Sequence, residues 1–125
     1  MCMLKKMLLI STAALLVSGC ASVTNLTPSQ VPRDESGLYP FEMIFNTKAT
    51  SVAHDSVQPY LMLGGELIPM ERTPLLTHRW EVLAPIPAGK ELVNYQYKVN
   101  YQWKDLGKRK ENSKLSEPFE LRIQD

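Results

Sequence analysis

The sequence predicts an all-β chain, an antiparallel β-sandwich of six or seven strands preceded by an N-terminal signal helix and a linker. Three observations predict it. Beyond Gly37 apolar and polar residues alternate with a period of two almost everywhere, glycine and proline punctuate those runs, and no segment of useful length has a helical period. The clearest run is VNYQYKVNYQWK, residues 93–104, where every odd position from Val93 to Trp103 is apolar or aromatic and every even one is polar. Such a row turns one face of a strand toward a core or toward a ligand.

The N-terminus reads as a targeting signal. Residues 1–19 contain Lys5 and Lys6 and no acid, and MLLISTAALLV, residues 7–17, is uncharged. That is the length of the apolar part of a secretory signal and is shorter than the about 20 apolar residues a spanning helix needs. Val17-Ser18-Gly19-Cys20 follows. This tetrapeptide resembles the lipobox of bacterial lipoproteins. The resemblance implies cleavage between Gly19 and Cys20, with Cys20 becoming a lipidated N-terminus that carries acyl chains such as palmitate. The chemistry suits the residue types, since a thiol is the nucleophile that takes up the lipid and small neighbours admit the peptidase. The competing reading is an ordinary secretory signal with Cys20 as a chance thiol.

Cysteine usage agrees with the anchor. Cys2 lies in the segment to be removed, so Cys20 is the one cysteine of the processed chain and no intramolecular disulfide forms. Each buried methylene contributes about 0.8 kcal/mol, so two or three acyl chains retain a protein stably where one holds it marginally. In Gram-negative lipoproteins an aspartate after the cysteine marks retention in the inner membrane. Ala21 stands there instead. The expected location is therefore the cell membrane, by lipid anchor, and the outer membrane if the organism has one.

The expected domains are a signal peptide over 1–19, a lipidated N-terminus and linker over 20–37, and a β-sandwich over 38–125. SVTNLTPSQVPRDESG, residues 22–37, has two prolines and neither apolar period, although Val23 and Leu26 could begin an edge strand. YPFEMIFN sets Tyr39, Phe41, Met43 and Phe45 on one face of a strand. TSVAHDSV, residues 50–57, reads as an exposed polar turn. PYLMLGGELIPM is a hairpin about Gly64-Gly65, because a two-residue primed turn needs positive φ, and Pro69, which cannot donate to a ladder, marks its second arm as an edge.

In HRWEVLAPIP, Trp80, Val82 and Ala84 share a face, and Pro85 and Pro87 stop the strand. After the 93–104 run comes a polar loop from Lys104 to Ser116. EPFELRIQ then alternates Phe119, Leu121 and Ile123 with polar residues. Short strands with turn signals at this spacing resemble an immunoglobulin-like sandwich. In such a fold Val93, Tyr95, Tyr97 and Val99 are core residues, while Tyr101 and Trp103, beside the loop, stand between core and surface. The succession LMLGGELIPM, RWEV, YQYKV also resembles starch- and glycogen-binding modules and related early-set domains. That resemblance implies the fold and bears little on sugar binding.

Composition excludes several functions. The 125 residues carry a formal net charge of +1, too near neutrality for a nucleic-acid partner. No HExxH or GxSxG motif occurs, and His54 and His78 lack ligand spacing, so the sequence predicts no catalytic residue, no metal and no cofactor. What remains is a lipid-anchored envelope protein with a structural or protein-interaction role. The alternative is a carbohydrate- or anionic-glycan-binding module. The candidate contacts are Tyr101 and Trp103, as stacking rings, and Lys108, Arg109 and Lys110 in the basic loop. Against that stands the reading of the loop as a solvated hairpin that keeps an edge unpaired.

Overall fold

The computed structural model describes residues 21–47 and 51–125. The expected signal peptide, its expected cleavage point and Cys20 lie outside the described residues. Among the described residues, ten strand segments form two sheets. The first sheet has the order β1-β3-β7-β6, built from β1 (Ala21–Asn25), β3 (Leu38–Thr47), β7 (Arg79–Pro85) and β6 (Glu71–Arg72). The second runs β2-β10-β8-β4-β5, from β2 (Gln30–Pro32), β10 (Phe119–Gln124), β8 (Leu92–Asp105), β4 (Val52–Leu63) and β5 (Glu66–Pro69). β9 (Lys108–Leu115) joins it by pairing with β8. All pairings are antiparallel except β2 with β10.

The period of two decides what lies inside. Val93, Tyr95, Tyr97, Val99 and Tyr101 of β8 are buried, as are Tyr39, Phe41, Met43 and Phe45 of β3. Across the gap Phe41 meets Tyr95 edge-on, with ring centroids 4.9 Å apart, the arrangement that aromatic quadrupoles prefer. Each such ring contributes about 1.5–3 kcal/mol by leaving water. Trp80 is buried, with the Arg72 guanidinium 4.6 Å over its ring. Ala84, Leu121 and Ile123 complete the expected faces of β7 and β10.

The Gly64-Gly65 hairpin forms as its chemistry predicts, with φ of 58° and 83°, and β5 with Pro69 is an edge.

Three expectations are corrected. Part of the segment expected as a linker belongs to the sandwich as β1 and β2, because Ala21 is already buried and paired with Thr47. β1 is the edge strand that Val23 and Leu26 allowed, with Ser22 and Thr24 exposed, and β2 has three residues, too few for an apolar period to read. The expected turn at 50–57 is largely the start of β4. A register shift between Ala53 and Gln58 breaks its alternation there. The polar loop from 104 to 116 is largely strand β9, joined to β8 by a tight turn at Leu106-Gly107. β9 is an edge with almost every side chain exposed, so its sequence has no apolar period.

The connections sort to two ends. One end holds Ala21, Thr47, the β6–β7 loop at 73–78 and the turn at 105–108, since Ala21 pairs with Thr47 and Val52 pairs with Trp103. The opposite end holds residues 33–37, Gly64-Gly65 and the 86–91 loop.

Candidate functional site

The shift in β4 shapes the outer face of the second sheet. At the break, Ser56 Oγ donates to the Ala53 carbonyl at 2.6 Å and accepts from the Gln102 amide at 2.7 Å, which satisfies backbone groups the ladder leaves open. Beside it lies an open cleft of about 520 Å3, lined by Ser56, Asn100, Gln102, Glu111, Asn112 and Ser113 together with Tyr101. Amides, hydroxyls and one carboxylate converge there, a mixed donor and acceptor set. No alternation rule would have found this cleft, because it depends on the shift and on β9 pairing with β8.

Of the basic residues, Arg109 reaches that cleft, through Gln102. Arg109 donates to Gln102 Oε1 at 3.2 Å and lies 3.4 Å from Asp55, and Lys110 is 3.0 Å from Asp105. Lys108, Arg109 and Lys110 are all exposed on β9. They are thus strand residues with acidic or amide neighbours rather than members of a loop.

The two aromatic candidates separate. Tyr101 is buried, in tilted ring contact with Phe45, and its hydroxyl accepts from Asn112 Nδ2 at 3.1 Å. Burial pushes that hydroxyl's pKa up. It therefore offers no ring for stacking, which corrects that part of the expectation. Trp103 is half-buried and pairs across the ladder with Lys110.

His54 and Asp55 are adjacent in sequence but turn apart, as strand neighbours do. His54 lies with its ring centroid 6.3 Å from that of His78, while Asp55 meets Arg109. Among the described residues no group of three or more His, Cys, Asp or Glu is placed to hold a metal ion.

The sheet orders define the class. A four-strand sheet β1-β3-β7-β6 faces β10-β8-β4, extended by β5 on one side, which is the strand arrangement of an immunoglobulin-like sandwich. No family model and no curated protein matches the sequence. Among solved structures the chain is similar to a structure of murine CRIg, with 13% identity and a TM-score of 0.45, over 83% of this chain and 99% of that one.

Proposed function

We propose that this is a lipid-anchored envelope protein with a structural or protein-interaction role, whose anchor is Cys20 and whose working part is the immunoglobulin-like sandwich. The observation that carries the reading is the position of β1. Ala21, immediately after the lipobox cysteine, is already buried and paired with Thr47, so processing there would release a chain that keeps every described pairing of β1. Cleavage anywhere within β1 would remove edge pairing to β3. The test is Cys20→Ala. It should leave an unprocessed or soluble precursor, and mass spectrometry of the parent's N-terminus should find acyl chains on Cys20. A variant that still fractionates with membranes and carries acyl chains would overturn the anchor.

A second reading, glycan binding, is supported by the polar cleft, whose amides and carboxylate suit sugar hydroxyls. Titrating envelope glycans into the domain while following the side-chain amide signals of Asn100, Gln102 and Asn112 tests it. Signals that stay in place at saturating glycan would discard it.

A further inference from the structure

We propose that the Ala21 end of the sandwich is a membrane-contact surface, on which the 73–78 loop and the β8–β9 turn rest on a bilayer containing anionic lipid. This rests on the reading of Cys20 as the lipidated residue. Three observations at that one end converge.

The first is the lack of slack. Ala21 is paired and buried, and a residue spans at most about 3.6 Å of extended chain, so lipid on Cys20 would hold this end at the headgroups. The second is the character of the loop tips. Leu75 and Leu106 are 102% and 96% exposed, with Leu76 at 44%, where such loops are ordinarily polar. Leu75 and Leu106 also sit at φ of 68° and 51°. That left-handed region disfavours a branched L side chain and suits Gly or Asn, so neither backbone preference nor solvation accounts for leucine at either tip. The third is charge. Lys104, Lys108, Arg109 and Lys110 surround the Leu106 tip and are exposed, and with Asp55 paired to Arg109 and Asp105 to Lys110 the cations still exceed the carboxylates there. Apolar tips ringed by cations match an interface of acyl chains beneath anionic headgroups.

The experiment imposes the anchor chemically. Both sheets and the core lie within residues 21–125, so the chain from Cys20 to Asp125 holds the folding unit and one thiol. That thiol is coupled to a maleimide lipid in phosphatidylcholine vesicles with and without phosphatidylglycerol. Lysines are then acylated with a membrane-impermeant reagent and read by mass spectrometry. Lys104, Lys108 and Lys110 should react about tenfold more slowly on phosphatidylglycerol vesicles than in solution, roughly the equilibrium effect of burying one leucine. Lys90, on the opposite end, should be unchanged.

Leu75→Asn/Leu106→Asn suits the left-handed backbone, keeps the charge, and should restore most of the solution rate. A parent whose three lysines react at the solution rate would overturn the proposal. So would an Asn variant as protected as the parent, because proximity alone would then explain the protection. Since the coupling is chemical, neither result depends on whether cells lipidate Cys20.

Discussion

The Tyr97 hydroxyl donates to Asn25 Oδ1 at 2.8 Å, joining the middle of β8 to the end of β1 across the sandwich and across 72 residues of sequence. The same hydroxyl lies 2.9 Å from Thr27 Oγ1, while Asn25 Nδ2 donates to the Tyr95 hydroxyl at 2.9 Å and Thr27 Oγ1 accepts from the Glu42 amide at 3.0 Å. This network fastens the N-terminal segment to both sheets. A buried polar group that loses its partner is far more damaging than the pair is stabilising, so the network acts as a unit.

Tyr97→Phe should therefore destabilise the fold by about 1–3 kcal/mol, because the ring still packs while the Asn25 and Thr27 oxygens lose a buried partner. Urea unfolding should show a lower midpoint with an unchanged slope. A midpoint equal to the parent's would mean that water serves the network as well as tyrosine does.

Alkaline pH should unfold the protein through the same group. Burial, the largest cause, raises the Tyr97 hydroxyl well above the ordinary tyrosine range, with its Thr27 hydrogen bond opposing. The unfolded chain then gives up this proton first, at about pH 10, so it binds fewer protons than the native state and stability falls as pH rises further. The contribution is intact below about pH 10. Urea midpoints measured from neutral to strongly alkaline pH should fall above that point, and Tyr97→Phe should flatten the fall.

Trp80→Ala should cost about 3–5 kcal/mol, since transfer and cavity terms add at a buried ring. A domain of this size has about 5–15 kcal/mol in total, so this one change leaves little reserve. Trp103→Ala, at a half-buried ring, should cost visibly less in the same melting experiment. Equal losses would place both rings in the core.

Reversing the charges in Lys108→Glu/Arg109→Glu/Lys110→Glu should spare the fold, each change staying within about 0.5 kcal/mol. The ion pairs of Arg109 with Asp55 and Lys110 with Asp105 are exposed, and such pairs contribute about 0–1 kcal/mol. Retention of the soluble domain on anionic vesicles should fall in the variant, and in the parent should weaken with salt, which screens exposed charges over about 8 Å at physiological ionic strength. Equal retention of both forms at every salt concentration would assign these residues to solubility alone.

By itself the sequence determined the all-β class, the inward face of each strongly alternating strand and the Gly64-Gly65 turn. Those features follow from local rules: side chains alternate along a strand, and positive φ calls for glycine. It also carried the tetrapeptide Val17-Ser18-Gly19-Cys20 that resembles a lipobox, since such a resemblance is read as linear sequence. Pro69 had marked β5 as an edge, and the tertiary structure decided the remaining edges. β1, β2 and β9 pair on a single side or bury few side chains, so their residues answer to solvent and show no period. Tyr101 could not be assigned from its position, because its burial depends on Phe45 arriving from the other sheet. The polar cleft and the shared end that brings Ala21, Leu75 and Leu106 together arise where the register shifts and where separate connections meet. Nothing within any one strand encodes that meeting, because it is set by which strands pair and in which direction they run.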